Sequence, residues 1–269
     1  MKIGTLSSAI DNDQMSLSSD ERIAIIETAA RDSSPDILLA AGYSLQTADD
    51  MEPLAERLSA LNWDGLLVAE VMDYQGDLPR LVEIGGTRCD LSGHCVVVWS
   101  RANGWHVLGR QFFTQSAQVK AGKKTIVKLF EETLKDRVVE FRGHKIGVLI
   151  CGELNAVQGR DNVTALTPEI GNWLDGLDII LNPTHDRMGN GGTLNAKRKW
   201  LSSPQNDHPR IYVSSSNWNT HKPWKNAKGF ITQSRSTDTL HTVFCGGENV
   251  AQKNHPYENF EYREAILND

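Results

Sequence analysis

Continuous apolar runs alternate with amphipathic stretches along much of the chain. The first third reads strand, helix, strand, helix, strand. Met1 to Leu6 forms a short apolar start. Ser18 and Glu21 have the spacing of a capping box, and Ile23, Ile26 and Ala30 then fall on one helical face. Pro35 ends that helix, because the residue before a proline avoids the helical region. Ile37 to Ala41 and Gly65 to Val71 are unbroken runs of the kind that form strands buried on both faces, and Leu54, Leu58 and Leu61 give the helix between them its face. In the middle, His94 to Ser100 is a valine-rich strand that turns at 101–104 and returns as Trp105 to Leu108, a hairpin. After a lysine-rich stretch (Lys120 to Lys128), Lys145 to Ile150 is a strand running directly into Cys151. Ile170, Trp173, Leu174 and Leu177 mark a helix, and Asp178 to Leu181 a strand ending at Asn182-Pro183-Thr184-His185. A basic helix from Leu194 to Leu201 and strands at Ile211 to Ser214 and Thr242 to Cys245 follow. With no solenoid-like repeat or low-complexity linker, this alternation predicts one mixed α/β domain over residues 1–269.

Composition narrows the function. Hydrophobic residues make up 39% and charged residues 23%, a globular balance that argues against wholesale disorder. The formal charge of −6 makes nucleic acid or an anionic membrane a poor partner, and no apolar run is long enough to cross a bilayer. The opening MKIGTLSSAIDND turns polar at once and does not read as a secretory signal. The four cysteines, 89, 95, 151 and 245, form no C-x-x-C pair. Together these features predict a cytoplasmic protein, and no histidine–cysteine spacing argues for a metal.

The segment richest in chemistry is IGVLICGE, Ile146 to Glu153. A buried strand delivers Cys151 at its carboxyl end, where α/β folds gather their active sites. Gly152 keeps the turn open and offers a backbone N–H to a developing oxyanion. The plain alternative is a buried structural thiol. Cys95 reads as core, Cys245 lacks the acidic follower, and Cys89 carries no signal.

KIGVLICGE resembles the nucleophile segment of the carbon–nitrogen hydrolase (nitrilase-like) superfamily. LDGLDIILNPTH and HPRIYVSSSNWN resemble its following units, and DERIAIIETAARDSSPDILLA its first helix and second strand. The resemblance implies a four-layer α-β-β-α sandwich, a homodimer or higher homo-oligomer, and hydrolysis of a small-molecule amide, nitrile or N-carbamoyl compound through a thioester on Cys151, without metal or organic cofactor. It implies a lysine for the oxyanion, best matched by Lys124 with Lys123 next and Lys120 and Lys128 nearby. It also implies a supporting glutamate, Glu131 or Glu132, and a structural role for Glu153.

The catalytic glutamate departs from the pattern. The family carries it as Pro-Glu after the second strand, where this chain has Ala41-Gly42. Glu70, at the carboxyl end of the next strand, is the candidate replacement. A parallel neighbour in similar register would set it one strand spacing away, roughly 5 Å, with Gly42 leaving space for the carboxylate to reach across. Asn182 and His185 are candidate substrate contacts, as are Thr184, Arg198, Lys199 and residues 214–217; Tyr43, Trp218 and Trp224 are candidate aromatic walls. The C-terminal NHPYENFEYREAILND is a candidate arm across a partner subunit. Two other readings stand beside the hydrolase: a nitrilase-like protein that lost its base and binds a metabolite or partner, and an isochorismatase-like cysteine hydrolase.

Overall fold

The computed structural model describes the chain except residues 12–13, 16, 79–80, 85–86, 115, 120–123, 186–190, 204–208, 220–223, 226–230, 233–239 and 268–269. Two sheets lie face to face, and each carries helices on its outer side. The ten-stranded sheet is built around Lys2–Asp11, which pairs in parallel with Ile37–Ala40; that strand pairs in parallel with Leu66–Asp73. The valine-rich hairpin, Cys95–Ser100 and Gly104–Arg110, extends one side antiparallel. The six-stranded sheet runs Val138–Phe141, His144–Val148, Ile179–Thr184, Ile211–Ser216, His241–Cys245 and Glu248–Asn249, parallel across its three central strands.

Three apolar clusters account for the four layers. Helices α1 (Ser19–Ser33) and α2 (Met51–Ala60) bury Ile23, Ile26, Leu54 and Leu58 against Leu38, Leu67 and Trp99 of the first sheet. Helices α3 (Lys124–Glu132), α4 (Pro168–Asp175) and α5 (Gly191–Ser202) bury Phe130, Ile170, Leu174 and Leu201 against Leu149, Ile180 and Tyr212 of the second. Between the sheets, Ile37, Leu39, Leu66 and Val68 meet Ile146, Val148, Ile179 and Leu181. Each such side chain, fully withdrawn from water, contributes about 1.5–3 kcal/mol. This is the α-β-β-α sandwich that the resemblance implied.

The predicted elements are present, with informative differences at their ends. Ser18 and Glu21 form the capping box, and α1 stops at Ser33, before Ser34 in a left-handed turn and Pro35. The first strand is ten residues long because its polar end is buried and bonded: Ser7 Oγ donates to Ser216 O at 2.7 Å. The strand expected to end at Leu181 continues through Pro183 to Thr184, opposite Ser214 to Ser216. The C-terminal segment lies on the chain's own sheet: Phe260–Ile266 pairs antiparallel with the first strand, and Lys253–Pro256 pairs antiparallel with Phe260–Ile266.

Candidate active site

Strand alternation fixes which side chains enter the space between the sheets. In Leu66–Asp73, Leu66 and Val68 point inward, so Glu70 does too; it is fully buried. In Ile179–Thr184, Ile179 and Leu181 point inward, and the same period brings His185 to that side just past the strand. His144–Val148 is the parallel neighbour of that strand, and it leads to Cys151 at the same end. Cys151 packs against the inter-sheet cluster.

The turn at Cys151 is sharp. Its φ is +44°, in the left-handed region, and a 3₁₀ turn, Cys151–Ala156, begins there. A non-glycine residue in this region carries about 1–3 kcal/mol of strain and persists only where its surroundings hold it. Asn182 does part of the holding: its Nδ2 donates to Leu149 O (2.5 Å) and Cys151 O (3.3 Å), while its Oδ1 accepts from the Tyr212 hydroxyl (2.9 Å). Gly152 is held as tightly, since a Cβ there would lie 2.1 Å from Thr114 O. Asn182, expected as a substrate contact, is fully buried and serves as a brace under the cysteine.

Glu70 and His185 form a pair. His185 Nε2 lies 2.8 Å from the Glu70 carboxylate, and Tyr43 N–H donates to Glu70 Oε1 at 3.0 Å. The Tyr43 ring stacks on His185 with centroids 4.2 Å apart and planes 8° from parallel. Burial raises the Glu70 pKa, but His185, His94 and the Tyr43 N–H outweigh it, so the net shift is downward. Burial opposes charge on His185, but Glu70 and the Cys151 sulfur, which is near enough to hydrogen-bond the ring, hold its pKa well above the ordinary histidine range. Both shifts favour a carboxylate–imidazolium pair beside the thiol.

Position 42 explains the altered pattern. The register Leu39↔Val68 carries the strand of Ala41-Gly42 alongside that of Glu70, as expected. The space over Gly42, however, is filled by the histidine and not by the Glu70 carboxylate. A Cβ at Gly42 would fall 2.3 Å from His185 Cδ2, and Gly42 N–H donates to Thr184 O at 2.9 Å across the two sheets. Asn217 Nδ2 donates to Gly42 O at 2.5 Å, fixing the same loop. The direct Glu70-to-sulfur arrangement expected from sequence is therefore replaced by one in which His185 stands between them.

Other expected residues lie elsewhere. Glu131 accepts from Thr167 Oγ1 (2.5 Å), the N-cap of α4, and no hydrogen bond among the described residues joins it to Cys151. Lys124 begins α3, but its side chain is outside the described residues, as are Lys120 and Lys123; Lys128 and Lys199 are exposed. The Trp224 side chain is likewise outside them, whereas Trp218 is buried. Arg198 is buried, with Nη2 3.4 Å from Ser214 Oγ. Glu153 is fully buried: Arg137 Nη1 lies at 2.6 Å, and the Phe112 and Ile150 N–H groups donate to it at 2.8 Å each. Burial pushes the Cys95 thiol up to about 12, as befits core.

Two residues had no sequence signal. His94, half-buried, sits edge-on to His185 with centroids 4.6 Å apart, and its Nδ1 is 3.0 Å from Met72 O. Buried Lys197, lowered to about 8 by its burial, donates to Asn155 Oδ1 at 3.0 Å, beside the turn that follows Cys151. No metal was expected, yet donor atoms of Glu70, His94 and His185 all lie within 4.8 Å of one another. Among the described residues no helix is long and apolar enough to cross a membrane.

Comparison with known proteins gives the fold a context. No protein-family model and no curated protein sequence matches the chain. Solved structures do. A carbon–nitrogen hydrolase superfamily protein from Xanthomonas campestris, with an arsenic adduct in its active site, is 9% identical, with a TM-score of 0.52 over 99% of this chain and 90% of that one. The C. elegans NitFhit protein is 9% identical, with a TM-score of 0.51 over 98% of this chain and 60% of that one. A glutamine-dependent NAD(+) synthetase from Cytophaga hutchinsonii is 12% identical, with a TM-score of 0.49; 98% of this chain aligns, spanning 42% of the synthetase. The chain has the fold of the carbon–nitrogen hydrolases.

Proposed function

We propose that this protein is a cysteine hydrolase that cleaves a C–N bond of a small amide, or of a nitrile or N-carbamoyl relative, through a thioester on Cys151. The observation that carries this reading is His185 between a buried glutamate and the cysteine, a nucleophile–base–orienter geometry. Glu70 orients the ring and stabilises its charge. His185 in its neutral form, with Nε2–H donated to Glu70, takes the thiol proton on its other nitrogen as sulfur bonds to the carbonyl carbon, and Glu70 supports the charge that develops. The oxyanion meets the Gly152 N–H, with Lys124 the candidate second donor. His185 returns the proton to the leaving nitrogen, the C–N bond breaks, and an amine departs. Water then loses a proton to His185 and attacks the thioester, giving the carboxylate and the free thiol.

The missing glutamate at Gly42 favours a second reading, a metabolite-binding module. One experiment separates the two. The protein is incubated with a panel of small amides, and intact mass and released ammonia are measured. An acyl adduct on Cys151 with ammonia release, both lost in Cys151→Ala, supports the hydrolase. Ammonia release that persists at full rate in Cys151→Ala, or a retained ligand with neither adduct nor ammonia, defeats it.

A further inference from the structure

We propose that Glu70, His94 and His185 also form a binding site for a zinc-class divalent cation, and that occupancy of this site silences Cys151. The regulatory half rests on the hydrolase reading; the binding half does not.

A thiol, a base and an orienter need only Cys151, His185 and Glu70. His94 is not needed for that step, yet its ring stands 4.6 Å from that of His185. One cation could use both rings and the carboxylate, whose donor atoms lie within 4.8 Å of one another. The donor set of two imidazoles and a carboxylate is one that zinc takes in open sites. The donors come from three separated places: the middle of Leu66–Asp73, the residue before Cys95–Ser100 and the residue after Ile179–Thr184. The Nδ1 of His94 meets a backbone carbonyl, Met72 O, the kind of outer contact that orients a ligating imidazole. Tyr43 walls the group, stacked on His185 and edge-on to His94 at 5.1 Å. The Glu70–His185 contact of 2.8 Å is that of atoms sharing a proton; parting to about 3.3 Å, with the His94 donor, no more than 4.8 Å away, drawing to the same spacing, would admit a tetrahedral zinc with ligand bonds of about 2.0–2.1 Å.

The silencing follows from the ring's two nitrogens. A cation on Nε2 takes the place of the proton shared with Glu70. The neutral ring then carries its remaining proton on Nδ1, the atom left to serve the thiol, and cannot accept a second. The thiol keeps its proton, and no acyl transfer begins.

The test uses the whole metal-stripped protein and Co²⁺, whose visible d–d absorption reports tetrahedral or five-coordinate binding. One equivalent should bind saturably both in the native chain and in Cys151→Ala. Each of His94→Asn and His94→Gln should weaken binding at least about tenfold. Zn²⁺ should slow iodoacetamide alkylation of Cys151 in the native chain at least about tenfold. No saturable absorption, or affinity unchanged in both His94 variants, overturns the site; undiminished alkylation with one equivalent of Zn²⁺ bound overturns the silencing. Because binding is read in a variant without the thiol, failure here leaves the acyl-adduct experiment standing, and the reverse also holds.

Discussion

Two glutamates, both fully buried, flank Cys151, and they do different work because of the cation each one meets. Glu153 meets Arg137, whose guanidinium bonds both carboxylate oxygens, at 2.6 and 3.1 Å, and is backed by the Phe112 and Phe130 rings. Two backbone N–H groups complete its shell. Arginine does not give up its proton, so this pair is fixed. It ties the turn after Cys151 to the 3₁₀ segment Leu134–Arg137. Glu70 meets His185, which titrates, stacks on Tyr43 and adjoins the thiol. A buried carboxylate beside arginine acts as a strut; beside histidine it can take part in moving a proton.

The contrast can be broken from either side. Glu70→Gln should cost the largest effect, a fall of about 10²–10⁴ in kcat/KM, because it removes the charge that supports the base. Its thermal midpoint should move less than that of Glu153→Gln. The latter strands a buried guanidinium and should cost about 3–5 kcal/mol in urea unfolding. Gly42→Ala comes next. Its methyl, 2.3 Å from His185 Cδ2, displaces the ring, and a misplacement of about 1 Å costs about a hundredfold in kcat.

A fully buried histidine sharpens the comparison through pH. His241 Nδ1 is 2.7 Å from Thr5 Oγ1, its Nε2 is 3.9 Å from Glu261, and burial together with nearby Arg263 lowers its pKa to about 3. Its folded pKa lies below the ordinary 6.5, so the unfolded chain binds the proton more readily between those values. Its stabilising contribution is complete above pH 6.5 and declines as pH falls toward 3. The melting temperature should drop over that window by about 2–4 °C per kcal/mol lost, and His241→Asn should flatten the slope.

Much of this fold is legible in the chain because its determinants are local. Unbroken runs such as Ile37 to Ala41 encode doubly buried strands, Ser18 and Glu21 encode a helix start, and Pro35 lies just beyond the helix end. The polar end of the first strand was hidden, because Ser7 is satisfied by Ser216, far along the sequence. The site was half legible. Glu70 is conspicuous as an acid in an apolar run, and register alone brings it beside Gly42. His185 follows a strand end, but its role depends on the space over Gly42, which two sheets create together. His94 shows no local sign, since its partners Met72, Tyr43 and His185 belong to three other segments.

If Glu70 acts on Cys151 through His185, substitutions at the two residues overlap in their effect. The most direct measurement is a double-mutant cycle on ammonia release from an amide that the native protein turns over. If the two residues act as one unit, Glu70→Gln combined with His185→Gln should lose no more than about threefold beyond the worse single variant. A double variant whose loss equals the product of the two single losses would show that they act independently, and would contradict the account.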